Sequence, residues 1–514
     1  MPKRIAVVGS GCAGLGATWL LNEHSEHEVH LYEADNRPGG HANTQDFRAS
    51  LAHKASVPVD AYVRTIHVLA PPLTRLDLTA ASYIILNPVT YPNFLKFLEH
   101  KEVPVVPAAM SFSVSRDEGA LEWAGSPDPT TLFCQPENLL NIDMWRMLWD
   151  LLRFNACALE VLQPDSLDGE LSLGDYLKKY NYCQTFRDDY LLPVTAAIWT
   201  TPPDKISLNF PVRAVVQFMA NHHLLQLLNK PSWLTIVGGS KQYVKKIVGR
   251  MQPQRVHFNT PVHSINTTKT PGSVQLTTAD GETHIYDHVV MACHADTTLK
   301  ILENGADVTE QERDILGRFT WNDNEAILHS DLALMPKRRK AWSCWNYLSS
   351  SAPEASGDVK ASVGRVALTY CLNVVQYIDE SKHGPCLLTL NPPFEPHPDK
   401  VVGRFNYSHP ALDQASTEAQ EMLPSIQNKR GLSFVGAWTK YGFHEDGFAS
   451  GMRAAEAHLG ARSPFPIQSA EREHKHDKTL AFFFQFFENS GARSIADFIF
   501  AFWLRIFAFV FLRR

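Results

Sequence analysis

The sequence has little excess charge and few features of a small secreted or nucleic-acid-binding protein. Its 514 residues include 48 Lys and Arg against 54 Asp and Glu, a net charge of −6. That balance excludes the basic footprint of a nucleic-acid-binding protein. The eight cysteines contain no C-x-x-C pair, which favours reduced thiols over a disulfide framework or a zinc site, so no metal is expected.

Repeats and leader segments are also missing from the sequence. We find no self-similarity at solenoid periods, and the basic start leads at once into an apolar run rather than a signal peptide. We therefore expect an intracellular protein. A hydrophobic content of 44% over this length predicts two or three domains with cores of their own.

A glycine-rich turn, within "VVGSGCAGLGATWLL", follows the first apolar run. A short strand, then G-x-G-x-x-G, then an apolar helix start is the arrangement of a Rossmann-like dinucleotide site. Its glycines allow a tight turn, close approach of a pyrophosphate and close helix–strand packing. The pyrophosphate would lie on the helix N-terminus. The cofactor-binding residues predicted at this turn are Gly9, Gly11, Cys12, Ala13 and Gly14.

An acidic residue follows the second predicted strand. Residues 29–32 form an apolar run that ends at Glu33. A carboxylate about 20 residues beyond the glycine motif accepts hydrogen bonds from ribose hydroxyls in dinucleotide sites. We therefore expect Glu33 to bind the adenosine ribose.

A second glycine pair, in "EADNRPGGHANT", comes directly after this acid. Here the sequence resembles the flavin-containing amine oxidase and phytoene desaturase superfamily, in which such a pair approaches the FAD pyrophosphate and flavin. The resemblance implies a Rossmann-like, NAD(P)-binding-like FAD domain. It also implies contacts with FAD by Ala34, Arg37, Gly39, Gly40 and His41.

Two later segments extend the resemblance. "VHFNTPVHSI" looks like the strand pair where main-chain atoms of Val262 hold adenine, and a further strand ends at Ala292. "FVGAWTKYGFHEDGFASGMRAAEAHL" looks like the closing FAD motif, with Gly436 near the ribityl chain and a helix N-terminus from Gly447, including Ala449, facing the flavin. No cysteine next to this motif offers a thioether, so the resemblance implies noncovalent FAD.

One departure weakens the ribityl assignment. Many relatives carry an acid after the first glycine of the closing motif, and this chain has Ala437. Segments such as "TYPNFLKFLEH", "LLPVTAAIWTTPPDK" and "KYGFHEDG" also resemble a subgroup of predicted FAD/NAD-binding amine oxidase-like proteins of bacteria and fungi. Genes of that subgroup often lie near cyclopropane-fatty-acid-synthase-like methyltransferases, which implies an acyl-lipid substrate.

The predicted fold class is α/β with an α+β second domain. A discontinuous FAD domain, of the amine oxidase type, comes from residues 1–60, 232–300 and 430–462. A mixed helical and sheet substrate domain comes from 83–231 and 301–429. A linker over 463–479 leads to a hydrophobic helical tail over 480–514.

Residues 61–82 have no clear helical or strand period and contain a Pro-Pro break. A loop of this length inside a compact domain is uncommon. It is either a family-specific lid or the translation of an unspliced intron, and we favour the intron.

In flavin enzymes the cofactor carries the redox chemistry, and the protein positions and tunes it. Accordingly, we find no serine triad, metal site or acid pair, and no lysine can be assigned beside the flavin. The predicted catalytic residues are His444, Glu445 and Tyr441, in the closing motif. Further side chains that could face the ring are Trp199, Trp345, Asn346, Tyr347, Tyr370 and Phe443.

The expected function is FAD-dependent oxidation or desaturation of a hydrophobic, acyl-lipid-like substrate. Three alternatives stay open: a redox-neutral double-bond isomerase, an amine oxidase proper, and a non-catalytic FAD-binding protein. Hydrogen peroxide release or dependence on an acceptor separates oxidation from isomerisation. The sequence does not decide the oligomeric state.

The tail is dense in Phe, Ile, Leu and Trp, and residues 498–512 carry one charge, Arg505. Fifteen helical residues fall short of the roughly 30 Å hydrocarbon core. On a helical wheel one narrow stripe holds Ser494, Asp497, Ala501, Arg505 and Ala508. The wide apolar face predicts a helix in the membrane interface on the cytosolic side, with Arg493, Arg513 and Arg514 at the headgroups. The alternatives are docking on the protein or a second subunit and, less favoured, a single span.

Overall fold

The computed structural model describes residues 1–48, 56–61, 81–108, 110–126, 128–199, 208, 210–226, 231–267, 272–353, 359–361, 367–471 and 478–511. The central sheet of the first domain is five-stranded and entirely parallel. Its strands are apolar and buried on both faces, as parallel sheets require. In spatial order they are Val256–His257, Glu28–Tyr32, Arg4–Val8, His288–Met291 and Leu432–Phe434.

These strands come from all three segments predicted to build the FAD domain. Within "VHFNTPVHSI", Val256–His257 joins the parallel sheet, whereas Val262–Thr267 begins a separate antiparallel sheet with Val274–Thr278 and Thr283–Tyr286. Because the central strands are parallel, their carboxyl ends meet at one edge, where open α/β sheets bind ligands.

Two helices pack against each other beside this sheet. The first helix, Cys12–His24, follows the glycine turn, and the closing helix, His444–Leu459, follows the last strand. The closing helix begins three positions before the predicted start at Gly447, because His444 already has helical geometry after the extended Phe443.

A separate seven-stranded sheet takes five strands from the second half of the chain and two from residues 112–125, and among its pairings only that of Phe112–Arg116 with Trp345–Ser349 is parallel. Its strands, in spatial order, are Val401–Pro410, Trp321–His329, Leu387–Leu390, Ala367–Cys371, Trp345–Ser349, Phe112–Arg116 and Leu121–Gly125. The smaller sheets pair Thr44–Phe47 with Val57–Asp60, Ser351–Pro353 with Val359–Ala361, and Trp233–Val237 with both Ala81–Leu86 and Val105–Ala108.

Helices of varied length surround the sheets. Besides those already named they are Pro92–His100, Ile142–Cys157, Leu173–Lys179, Gln184–Phe186, Leu192–Trp199, Val212–Asn221, Lys241–Val248, Ala295–Glu303, Glu310–Gly317, Leu372–Val375, Glu380–His383 and Gln414–Met422.

The predicted insert over 61–82 falls mostly outside the described residues. The structure describes Ala61 and then a strand, Ala81–Leu86, that begins two positions before the predicted return at Tyr83. The nature of the segment therefore stays a prediction.

The tail forms two helices, Lys478–Asn489 and Ala492–Phe511. The first begins two residues before the predicted linker boundary. In the part of the chain that the structure describes, no helix combines the length and apolarity needed to cross a membrane.

Candidate active site

A cavity lies at the carboxyl edge of the parallel sheet, between the first and closing helices. Of the predicted cofactor-binding residues, ten line it: Gly9, Gly11, Cys12, Ala13, Glu33, Gly39, Gly40, His41, Ala292 and Gly436. The predicted catalytic residue His444 and the ring candidate Phe443 line it too. The structure thus brings together segments more than 400 residues apart in sequence.

The glycine turn leaves room for a ligand. A Cβ atom built on Gly11, the N-cap of the first helix, would meet no atom within 4 Å, so this position opens into the cavity. Gly9 has a φ of 101°, and a Cβ on Gly14 would lie 1.9 Å from the Gly9 carbonyl oxygen. Gly11 therefore serves approach by a ligand, whereas Gly14 serves helix–strand packing and does not line the cavity.

Glu33 lies where a ribose-binding carboxylate is required. Its Oε2 accepts hydrogen bonds from the backbone N–H of Ser10, at 2.9 Å, and from the Ser10 hydroxyl. Its Oε1 accepts from the Asp35 N–H at 2.9 Å. These bonds fix the carboxylate at the cavity wall, and a carboxylate has lone pairs left for sugar hydroxyls.

The second glycine pair, Gly39 and Gly40, packs against the glycine turn. The Gly39 N–H donates to the Ser10 carbonyl at 3.0 Å, and a Cβ on Gly40 would lie 3.1 Å from the Gly11 Cα. Arg37 does not line the cavity, and its Nη1 donates to the Gly40 carbonyl at 2.9 Å, so its predicted cofactor role stays a prediction. The open position at Gly11, the fixed Glu33 and this close approach fit a dinucleotide pyrophosphate and ribose.

An aromatic wall that the sequence analysis missed closes another side of the cavity. The rings of His294 and Trp321 are stacked with centroids 3.9 Å apart, and both line the cavity. The His41 ring lies 5.6 Å from that of His294 and 5.3 Å from that of Tyr407. Burial lowers the pKa of His294, which favours its neutral imidazole. His294 lies three residues after the end of the strand His288–Met291, a signal that could have identified it, whereas nothing in the sequence points to Trp321.

The closing helix places His444 at the cavity. Its Nε2 lies 2.8 Å from the hydroxyl of Tyr243, on the helix Lys241–Val248. Burial lowers the pKa of His444 to about 4. His444 is therefore a neutral imidazole whose orientation Tyr243 fixes.

The cavity at the carboxyl edge of the parallel sheet, where the predicted cofactor-binding residues meet, is hereafter the FAD cavity. Glu445 and Tyr441 lie outside it. The Glu445 carboxylate accepts from the backbone N–H groups of Asn93 and Phe94, at 3.1 and 2.9 Å, and from the Asn93 side chain. It thereby caps the helix Pro92–His100. Both residues, with the predicted Ala449, line a neighbouring small cavity of about 20 Å³. Their predicted catalytic and cofactor roles stay predictions.

The other predicted cofactor residues lie at different places. Gly447 packs in the first turn of the closing helix, where a Cβ would lie 2.4 Å from the Cys12 Sγ. Val262 is half-buried in its antiparallel sheet, and Ala34 follows Glu33 at the surface. These residues do not line the cavity.

Most aromatic candidates belong to the core of the seven-stranded sheet. Trp345, Tyr347 and Tyr370 are buried there. The Asn346 side chain accepts from Ser113 and donates to main-chain carbonyls, so it crosslinks strands. The Trp199 side chain lies outside the described residues.

A second, apolar cavity of about 380 Å³ lies between the edge of the seven-stranded sheet and the helix Ile142–Cys157. Apart from Gly, two Ser and Asp128, its lining is apolar, with Met110, Phe112, Trp123, Leu132, Leu148, Leu151, Leu152, Tyr190, Val194 and Leu224 among its residues. One of its lining residues, Leu224, lies close in sequence to a residue whose ring contacts the wall of the first cavity. Two residues before Leu224, the His222 ring lies 5.1 Å from that of Phe443, which lines the FAD cavity.

Comparison with solved structures shows the same fold. A cyclohexylamine oxidase from Brevibacterium oxydans IH-35A is 14% identical, with a TM-score of 0.55 over 89% of this chain and 98% of that one. A CLA-producing fatty acid isomerase from P. acnes is 13% identical, with a TM-score of 0.54 over 88% and 97%. A reduced UDP-galactopyranose mutase is 16% identical, with a TM-score of 0.56 over 90% and 94%.

Comparison with curated proteins returned no match. The family model described as flavin containing amine oxidoreductase matches residues 12–312, more than half of the chain. The glycine turn with the second glycine pair, the position of Glu33 and the parallel sheet built from three segments of the chain agree with that match. The chain belongs to the flavin-containing amine oxidoreductase family and is an oxidoreductase whose cofactor is FAD.

Proposed function

We propose that the protein oxidises or desaturates a hydrophobic, acyl-lipid-like substrate, whose chain binds in the apolar cavity. The observation that carries this proposal is the lining of that cavity. Its volume of about 380 Å³ is in the range of ligand sites, and nearly all of its side chains are hydrocarbon or aromatic. Such a surface binds alkyl chains through removal of apolar area from water.

Charge in the cavity argues against an ammonium substrate. Among the described residues that line it, Asp128 is the one that is charged. Its Oδ1 accepts from the backbone N–H and hydroxyl of Thr130, at 2.9 and 2.7 Å, which closes a local turn at the surface. A buried ammonium needs a paired carboxylate, and the lining offers no buried one.

The described residues that line the FAD cavity suit hydride transfer from an uncharged, apolar substrate. Bound FAD supplies hydride acceptance. His444 is neutral and fixed by Tyr243, and the His294–Trp321 pair forms an aromatic wall. The protein therefore orients an apolar chain and excludes water. The fold itself accepts several chemistries, since it is shared with an amine oxidase and a fatty acid isomerase.

The direct test is anaerobic reduction of bound FAD by two substrate series. We expect unsaturated fatty acids of increasing chain length to bleach the flavin faster than amines of equal carbon number. Mass spectrometry of the product then separates two chemistries, because desaturation lowers the mass by two hydrogens and isomerisation leaves it unchanged. Faster reduction by the amines would refute the acyl-lipid proposal.

A cavity-filling variant tests where the chain binds. Leu151→Trp adds bulk to a half-buried wall of the apolar cavity, and we expect KM for long chains to rise by about tenfold or more, by the overpacking cost. The control Ile285→Trp adds the same bulk at an exposed strand of the FAD domain. Equal KM values in the two variants would place the chain elsewhere.

A further inference from the structure

The two tail helices are docked on the body by a polar network. Glu488 accepts from the indole N–H of Trp149 at 2.8 Å and pairs with Arg153 and Arg493, each at 3.0 Å. Asp497 pairs with Arg146 at 3.2 Å. The sequence predicts that Arg493 lies at the lipid headgroups. In the structure its side chain instead pairs with Glu488 in this network.

Packing fixes the first tail helix further. Ala481 and Phe484 are buried against Ala156 and Cys157. The Trp149 ring lies 5.0 Å from that of Phe484 in an edge-to-face arrangement. Such buried contacts and ion pairs hold the tail in one orientation on the helix Ile142–Cys157.

The opposite side of the tail is apolar and exposed. In the second helix the exposed apolar residues recur every three or four positions and so share one face. Phe498 is 75% exposed and Trp503 is 61% exposed. The other exposed apolar residues of the tail are Leu480, Phe482, Phe483, Phe486, Ile495, Ile499, Phe500, Phe502 and Ile506. Contiguous apolar surfaces of this kind mark an interaction site.

The charged residues of the tail indicate which kind of partner this surface binds. Glu488 and Asp497 are the only acidic residues of the tail sequence, and both are paired toward the body. Besides Arg493, the other charged residues in the tail sequence are Lys478, Arg505, Arg513 and Arg514, all basic. Exposed Phe and Trp with basic residues, and with no acidic side chain of the tail outside the network, match an anionic lipid surface.

We propose that the tail is a docked platform that binds the interface of a bilayer containing anionic lipids, through the face around Phe498 and Trp503. The aromatic side chains enter the headgroup region, and the polar network keeps the FAD-containing body attached to the surface. The proposal does not depend on which substrate the enzyme oxidises.

Flotation of the full-length, FAD-loaded protein with vesicles tests this. We expect binding to vesicles of phosphatidylcholine mixed with phosphatidylglycerol, weaker binding to phosphatidylcholine alone, and weakening by salt. The double variant Phe498→Glu, Trp503→Glu is expected to lower binding by about tenfold or more, because it removes two large aromatic side chains that would be buried in the bilayer interface. Ile285→Glu, an exposed apolar residue on the FAD domain, is the matched control and should bind as the wild type does.

Flavin absorbance and circular dichroism check that each variant is folded. Binding that the double variant retains in full would overturn the proposal. Equal binding to both kinds of vesicle, at all salt concentrations, would overturn its anionic part. A wild-type protein that ignores vesicles but dimerises, with the dimer lost in the double variant, would assign the face to a second copy of the chain instead.

Discussion

The first helix and the closing helix both begin at the same cavity, but the residues at their N-termini differ. The first helix begins at a bare glycine, Gly11, with no side-chain cap and no acid in its first turn. The closing helix begins with His444, Glu445 and Asp446, and each of these side chains has a protein partner. The comparison teaches that the first helix presents an uncapped backbone N-terminus at the cavity, whereas the ionisable side chains of the closing helix are held by protein groups, and His444 is the one of the three that lines the cavity.

Close backbone contact couples the two helices. A Cβ on Gly16 would lie 2.5 Å from the Phe448 carbonyl oxygen, and one on Gly451 would lie 2.0 Å from the Ala13 carbonyl oxygen. Each helix therefore sets the position of the other, and the difference between them can be tested one N-terminus at a time.

The largest effect is expected for Gly11→Val, which places a side chain in the open position at the first helix. Since the protein has no atom within 4 Å of that Cβ, the fold should survive while FAD affinity falls by about 3 kcal/mol, or roughly a hundredfold. The measurement is flavin absorbance per protein after purification. Gly317→Val, at the end of a surface helix with only Leu299 nearby at 3.7 Å, is the control. A fully yellow Gly11→Val protein would contradict the pyrophosphate assignment.

A smaller effect, on stability rather than on the cofactor, is expected for Glu445→Gln. The substitution leaves buried N–H groups of Asn93 or Phe94 poorly paired, which costs about 1–3 kcal/mol. Denaturant unfolding measures it, and FAD content and turnover should stay at wild-type values. Turnover that falls while stability is unchanged would instead support the catalytic role that the sequence predicts.

Glu445 also predicts a pH dependence. Burial raises its pKa from 4.5 to about 7, so the folded protein holds a proton that the unfolded chain releases in this range. Its contribution to stability is therefore complete below about pH 4.5 and is lost as the pH rises toward 7, by at most about 1.4 kcal/mol per pH unit. The stability difference between wild type and Glu445→Gln should shrink between about pH 5 and about pH 8.

The smallest effect is expected for Tyr243→Phe, which removes the hydroxyl that fixes His444. One hydrogen bond is worth about 1 kcal/mol, so we expect flavin reduction by substrate to slow roughly fivefold with FAD content unchanged. Tyr286→Phe removes a hydroxyl from a buried Tyr32–Tyr286 pair of 2.7 Å, away from the cavity, and should leave the rate unchanged. Equal rates in both variants would show that the orientation of His444 does not matter.

The features whose placement in the structure can be predicted from sequence are those built by local backbone. The glycine turn and Glu33 form their site within 33 residues of the chain start, so their spacing carries the geometry. The partners of the closing helix lie far away in sequence: Asn93 is 352 positions from Glu445, and Tyr243 is 201 positions from His444. No local pattern reveals such pairs, so the contacts of Glu445 and His444 could not be predicted from the sequence.

The residues that form the wall of the apolar cavity could not be predicted for the same reason, although the aromatic content of the substrate domain suggests an apolar tunnel. Its wall joins residues from Met110 to Leu224 across a sheet edge and several helices, and an apolar residue at helical spacing looks the same whether it faces a core or a cavity. Trp321 was missed likewise, because its contact with His294 is made only in the folded chain.

The helix Ile142–Cys157 has one further consequence. Trp149 and Arg153 hold the tail on one side of it, and Leu148 and Leu151 line the apolar cavity on another. Any ligand that favours one arrangement of this helix must shift the affinity at the other side by the same factor, since thermodynamic coupling is reciprocal. If the tail binds vesicles as proposed, a substrate that shifts this helix would change the affinity of the protein for vesicles, and vesicles would change its affinity for that substrate by the same factor.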